Sequence, residues 1–313
     1  MVVVVLLFFI GLACLVKGGD LFVDQAVFFA RKLRVSEIMI GATIVSIGTT
    51  LPEVTVSALA SANGIPDIAC GNAIGSVICN TGLIAGILLM LRPTHPARGE
   101  LATGSVFFFT AATAFAVITA RFGILSRWAG ALLLALFLTD MLFASRRALR
   151  LSQAQADSDV SSKEGSSLRH ALLMALAAFL IFLGSRLLIA NGMEIARALH
   201  VPERIIALTF IALGTSLPEL ATAVVAIVRG HGALSLGNII GANFFNIALV
   251  LGLSATIAPI PAPVASLAGD VRALFIPMLL LTLPTFIRGK TMRLQGVLLV
   301  GLYGFYCWKL FQG

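Results

Sequence analysis

Apolar residues fill this chain in long unbroken runs, not in the alternation of a half-buried strand or the one-sided stripe of a surface helix. The segments from Ile68 to Leu91, from Leu101 to Ala120 and from Gly232 to Gly269 contain no Asp, Glu, Lys or Arg. Each reaches the roughly 20 apolar residues that a helix needs to cross a hydrocarbon core. Breaking the chain at charges and Pro/Gly clusters predicts ten spans, at about 3–29, 35–62, 68–91, 101–120, 127–145, 171–196, 204–228, 232–258, 272–287 and 293–310. The strongly polar stretch 146–170 has the composition of a flexible linker and divides the chain into halves 1–145 and 171–313. The fold class expected is an all-α polytopic membrane protein.

Composition agrees: 59% of the 313 residues are hydrophobic, 12% are charged and mean hydropathy is +1.02, against roughly 45–50% apolar and about 25% charged in soluble domains. The net charge of +8 lies in short loops, so it reports topology and not a nucleic-acid surface. Assigning loops alternately to two sides puts fourteen Lys or Arg on the side of the linker and six on the other. The positive-inside rule then places the linker in the cytoplasm and both termini outside. Cys14, Cys70, Cys79 and Cys307 sit in apolar surroundings without ligand spacing and read as packing residues. The N-terminal Met-Val-Val-Val-Val lacks a basic leader and reads as the first span, not a removable signal peptide.

An offset of 166 residues lays the chain on itself. Gly41 to Glu53, ending Gly-Thr-Thr-Leu-Pro-Glu, aligns with Ala207 to Glu219, ending Gly-Thr-Ser-Leu-Pro-Glu; Gly71-Asn72-Ala-Ile-Gly75 with Asn80 aligns with Gly237-Asn238-Ile-Ile-Gly241 with Asn246. Fourteen of 44 gap-free positions are identical, clustered in these two motifs. Each copy carries five spans, an odd number, so the second enters the membrane from the opposite side. Inverted repeats of this kind place paired elements near the midplane, where transporters bind substrate.

Between Ile38 and Pro66 the only charged residue is Glu53, and between Ile205 and Val228 the only one is its repeat mate Glu219. A carboxylate at mid-membrane costs at least about 2.5–3.5 kcal/mol on insertion scales, so it is retained when paired, protonated or bound to a cation. Pro52 and Pro218 are expected to break their helices, because proline lacks an N–H and clashes with the carbonyl four residues back. The freed carbonyls around Ser46 to Thr49 and Ala212 to Thr215 then become oxygen ligands lining a site. Thr49, Thr50, Thr215 and Ser216 add hydroxyls. Asn72, Ser76 and Asn80 recur at intervals of four on one helical face, as do Asn238, Ala242 and Asn246. Helix packing alone accounts for Asn72 and Asn238 as well as ligation does. The whole set is a hard-oxygen cage suited to Ca2+ and, at lower charge, to Na+.

At these motifs the chain resembles the cation/calcium antiporter superfamily, in particular its short prokaryotic sodium/calcium exchanger branch. The resemblance implies ten helices, the second, third, seventh and eighth forming a core of four ion sites while the first and sixth slide across it. It implies a calcium site of Glu53 and Glu219 with backbone oxygens at Thr49 and Thr215. Sodium sites would use Thr50, Ser216, Ser76 and the carbonyls near Ser46 and Ala212, with Asn80 lining the centre. Two positions depart from the family pattern. Ala242 stands where the second copy would supply the hydroxyl that Ser76 supplies in the first, and Asn246 stands where some relatives carry Asp, which argues against potassium co-transport.

The reading is thus a Ca2+/Na+ antiporter working by alternating access in the bilayer, with the ions as cargo and no cofactor or covalent chemistry. The partners expected are the transported ions and the lipid bilayer, with no nucleic acid, and a monomer is compatible with the reading. A Ca2+/H+ antiporter using the same glutamates is the alternative, favoured by Ala242; against it, proton-coupled relatives tend to carry an acidic residue where this chain has Gly75 and Gly241. A passive channel, usually assembled from several subunits around a rotational axis, and an exporter of metabolites fit the paired motifs less well.

Overall fold

The computed structural model describes residues 1–154, 166–201, 214–262 and 264–312. Among the described residues ten helical segments run in chain order: α1 (Val2–Lys32), α2 (Glu37–Ala62), α3 (Pro66–Leu91), α4 (Arg98–Phe122), α5 (Arg127–Ala154), α6 (Ser167–Ala198), α7 (Leu217–Val228), α8 (Gly232–Ile257), α9 (Val264–Arg288) and α10 (Arg293–Gln312). Among the described residues, eight helices are long and apolar enough to cross a membrane: α1 to α6, α8 and the part of α9 from Gly269 to Arg288.

Their ends follow local chemistry. Ser36 caps α2 by accepting the Met39 N–H at 3.3 Å. Pro66 occupies the first turn of α3 beside Asp67, where a missing N–H costs nothing and a negative charge meets the helix dipole. Gly123, at φ +67°, closes α4 in the left-handed conformation and leads into a two-residue strand, β1 (Ile124–Leu125). That strand pairs antiparallel with β2 (Ile260–Pro261), an element the apolar pattern gave no sign of.

Two expectations are corrected. Pro52 does not break α2, whose helix runs unbroken from Ser46 to Ala62. One proline removes a single N–H and crowds one carbonyl, and the irregularity falls earlier instead, in a π-helical turn over Gly41–Val45. In the second half the chain does turn at Thr215 and Ser216 just before Leu217 and Pro218, residues 202–213 lying outside the described set. The flanking helices also run past the expected span ends at 145 and 171. Helix α5 continues through Ala154 and α6 begins at Ser167, since hydrogen bonding along a helix does not stop where hydrocarbon does.

Buried apolar residues form two cores. The larger joins α3, α4, α5, α8, α9 and α10, with Phe108, Phe115, Phe244 and Phe245 fully enclosed. The smaller joins α1 and α6 to the start of α2 and to Ala226 and Leu234. Helices α1 and α6 cross at glycines: a Cβ on Gly184 would sit 2.7 Å from the Gly11 carbonyl, and one on Gly18 3.1 Å from the Ala177 carbonyl. Asp20 of α1 pairs with Arg229 at 3.1 Å, tying this unit to the end of α7.

Close contacts between the halves recur in couples related by the 166-residue offset. The Thr291 N–H donates to the Thr94 carbonyl at 2.9 Å, and Leu125 pairs with Ile260. A Cβ on Gly86 would meet the Gly296 carbonyl at 3.1 Å, and one on Gly130 the Gly252 carbonyl at 2.7 Å. The α1–α6 glycine contacts form a third couple.

Candidate ion site

Helices α2, α3, α7 and α8 meet around Glu53 and Glu219, both fully buried. Among the described residues neither oxygen of Glu53 has a hydrogen-bond partner. Ser76 faces this carboxylate without closing a hydrogen bond, and the charges of the two glutamates are near enough to act on each other. Glu219 accepts from the Thr50 hydroxyl at 3.4 Å through Oε1, while its Oε2 has no partner. No Lys, Arg or His pairs with either glutamate among the described residues, nor does any group of three or more His, Cys, Asp or Glu gather there.

The neutral oxygens are held by contacts between the halves. The Thr49 hydroxyl donates to Asn238 Oδ1 at 3.3 Å and lies beside Glu219. The Ser46 hydroxyl donates to the Gly41 carbonyl at 2.8 Å, with the Asn238 carbonyl at 3.0 Å. Ser76 and Thr215 share a hydrogen bond of 3.3 Å. Ser216 and Asn80 are buried with no partner for the hydroxyl or for either amide atom. Asn246 donates to the Ala242 carbonyl at 3.0 Å and leaves Oδ1 unpartnered. Of the described residues expected at the site, Thr215 is half-buried and the others are buried; Ala212 lies outside the described residues.

Features that sequence reasoning missed or left open also appear. Asn80 falls in a π-helical stretch, Cys79–Ala85, and Asn246 opens another, Asn246–Leu251; such turns concentrate at functional sites. Asn238 is a member of the cluster, holding Ser46 and Thr49 through its oxygens and donating to Thr222 at 3.2 Å. Asn72 donates to the Ser57 hydroxyl at 2.9 Å and to the Glu53 backbone carbonyl at 3.4 Å, which ties α3 to α2 beside the carboxylate. Asn243, beside Ala242, donates to Thr81 at 2.6 Å. Gly241 admits the close approach of α2, since a Cβ there would strike the Ala42 carbonyl and the Ser46 hydroxyl.

Two buried carboxylates without a protein cation, ringed by hydroxyl and amide oxygens inside apolar helices, define a polytopic helical membrane protein with an oxygen-lined charged centre. The chain belongs to the sodium/calcium exchanger protein family, whose model matches residues 3–146 and 169–312. It is 30% identical to sodium/calcium exchanger MaX1 of Methanosarcina acetivorans over 95% of both chains. It is 34% identical to inner membrane protein YrbG of Escherichia coli, over 96% of this chain and 94% of that one. A structure of the sodium-calcium exchanger NCX_Mj soaked with zero Na+ and Ca2+ matches with a TM-score of 0.84 at 32% identity, over 99% of this chain and 100% of that one.

Proposed function

We infer that the protein is a secondary-active antiporter that exchanges Ca2+ for Na+ by alternating access, the ions competing for the cage around Glu53 and Glu219. The observation that carries this is the burial of both carboxylates with no cationic side chain paired to them. A bare dianion in such surroundings is unstable, and hard oxygen donors suit one Ca2+ or several Na+. Coupling comes from this cost: a cage compensated by either cargo passes between faces, and an empty one is trapped. Thr49, Thr50, Ser76, Thr215, Ser216 and Asn80 are the remaining ligands, Asn246 faces the same centre, and carbonyls near Ser46 complete the set.

The architecture we infer is ten spans in two inverted halves, 1–145 and 171–313. Supporting it are the two separate matches to one family model and the three couples of contacts that the offset interchanges, as expected for a pseudo-two-fold axis in the membrane plane. The close glycine-mediated pairing of α1 with α6 supports their moving as a unit over the rest. The linker is assigned to the cytoplasm and both termini to the outside. Ala242, which offers no hydroxyl opposite Ser76, favours proton coupling as the second reading.

Reconstituted vesicles test the cage. Sodium-driven Ca2+ uptake is expected to vanish in both Glu53→Gln and Glu219→Gln, and uptake retained in either overturns the assignment.

A further inference from the structure

Arg229, in the turn that follows α7 on the side of the linker, joins the pair α1 and α6 to the helices of the cage. Its Nη2 lies 3.1 Å from Asp20 Oδ1, and its Nη1 pairs with Asp24 Oδ1 one turn further along α1. Beside these carboxylates α1 and α7 are in close contact, since a Cβ on Gly19 would sit 3.2 Å from Val225 Cγ2. The arginine stands on the cage side of this junction. Two residues on, His231 Nδ1 lies 2.7 Å from Glu37 Oε1, which joins the α7–α8 turn to the start of α2. The aspartates stand on the other side: His170 of α6 stacks on Phe28 of α1 with ring centroids 3.5 Å apart, and its Nδ1 is 2.7 Å from Gln25 Oε1.

The other half has no equivalent. An offset of 166 carries Asp20 to Arg186, Asp24 to Ala190 and Arg229 to Asn63, so the place where α6 meets the end of α2, on the side opposite the linker, is given a cation, a methyl group and an amide in place of the two carboxylates and their cation. Arg186 lies over the Phe182 ring instead, 5.6 Å from its centroid. Helix α1 also runs along α7 over a longer stretch than α6 along α2. Two identical inverted halves would give two access states of equal energy. A charged clasp at one end only lowers the state in which that end is closed.

We propose that Arg229, clasped by Asp20 and Asp24, is a one-sided latch that holds the linker-side opening of the cage shut and so sets how unequally the two faces are exposed. The proposal rests on the alternating access inferred above. Opening that side parts α1 from α7, and the guanidinium must then give up both carboxylates for water. Both pairs are half-exposed, so the energy they hold is modest and biases the equilibrium without locking it.

Hydrogen–deuterium exchange mass spectrometry of the purified protein in saturating Ca2+ reads the closure of each end without any measurement of flux. In Arg229→Gln, and equally in Asp20→Asn combined with Asp24→Asn, exchange at the linker-side ends, residues 20–32 and 221–229, is expected to rise about fivefold, as the loss of two half-exposed ion pairs gives. Exchange at the opposite ends, residues 54–62 and 187–198, is expected to fall, because opening one face closes the other. Arg229→Lys keeps the charge and is expected to stay near the parent. Unchanged exchange at the linker-side ends, a rise there with no fall at the opposite ends, or a double aspartate variant that behaves like the parent would overturn the proposal. The reciprocal shift in a protein that shows no sodium-driven Ca2+ uptake would uphold the latch and overturn the assignment of the ions instead.

Discussion

In the proposed exchanger Glu53 and Glu219 set the chemistry, because among the described residues no other charged side chain is fully buried with them. Removing one charge leaves a monoanionic cage that holds a divalent ion poorly, and the loss of a buried charged ligand, roughly 3 kcal/mol, corresponds to about a hundredfold weaker Ca2+ binding. Isothermal titration of Glu53→Gln and Glu219→Gln is expected to show at least that decrease, with folding retained because a neutral amide is cheaper to bury than a carboxylate. Ala242 makes the opposite case. Ala242→Ser restores the hydroxyl that Ser76 offers in the first half, and the sodium concentration for half-maximal exchange is expected to fall about threefold, the gain of a modest oxygen contact of roughly 0.6 kcal/mol; an unchanged value would mean that position 242 does not face a sodium site. Both glutamates were legible in the sequence because charge is so rare between Ile38 and Pro66 and between Ile205 and Val228. The asparagines were not sorted so readily. Intervals of four report a helical face only while the backbone stays α-helical, and the π-helical stretches at Asn80 and Asn246 rotate the residues beyond them about the helix axis.

At the scale of elements, glycine contacts decide how near the helices come. Gly241 lets α8 lie against α2 where Ser46 meets Asn238. Gly241→Val is expected to destabilise the protein by about 1–3 kcal/mol through overpacking and to abolish exchange, both read from thermal unfolding and vesicle flux. Gly184→Leu forces α6 from α1 at Leu15 and Gly11. Its expected effect is a slowed exchange rate with equilibrium Ca2+ binding unchanged, because α6 lies in the smaller core and not in the cage. Helix positions were legible from uncharged runs, to within a few residues for α2, α3, α4 and α8. Their ends at Ala154 and Ser167 were not, since polar residues carry a helix into water without changing its hydrogen bonds. Pro52 misled for a related reason: the missing N–H is a local loss that a long, packed helix absorbs. The β1–β2 pair rests on contact between loops far apart in sequence, and no local pattern encodes it.

For the molecule as a whole, the 166-residue offset is both the plainest sequence signal and the organising feature of the contacts between halves. Thr94 with Thr291 ties the α3–α4 connection to the α9–α10 connection, and Leu125 with Ile260 ties the α4–α5 connection to the α8–α9 connection, the two contacts that the offset interchanges. In the proposed exchanger, a scaffold that interchanges its halves in this way would give the cage one route to each face. The central claim is that cargo must compensate the two glutamates before access switches, so flux in one direction requires a counter-ion in the other. Its most direct test is uptake of radiolabelled Ca2+ into proteoliposomes loaded with Na+ and diluted into Na+-free medium, beside a matched set carrying only an outward proton gradient. The account predicts uptake in the sodium-loaded vesicles and none above background with protons alone. Uptake driven only by protons, or uptake that needs neither gradient, would contradict it.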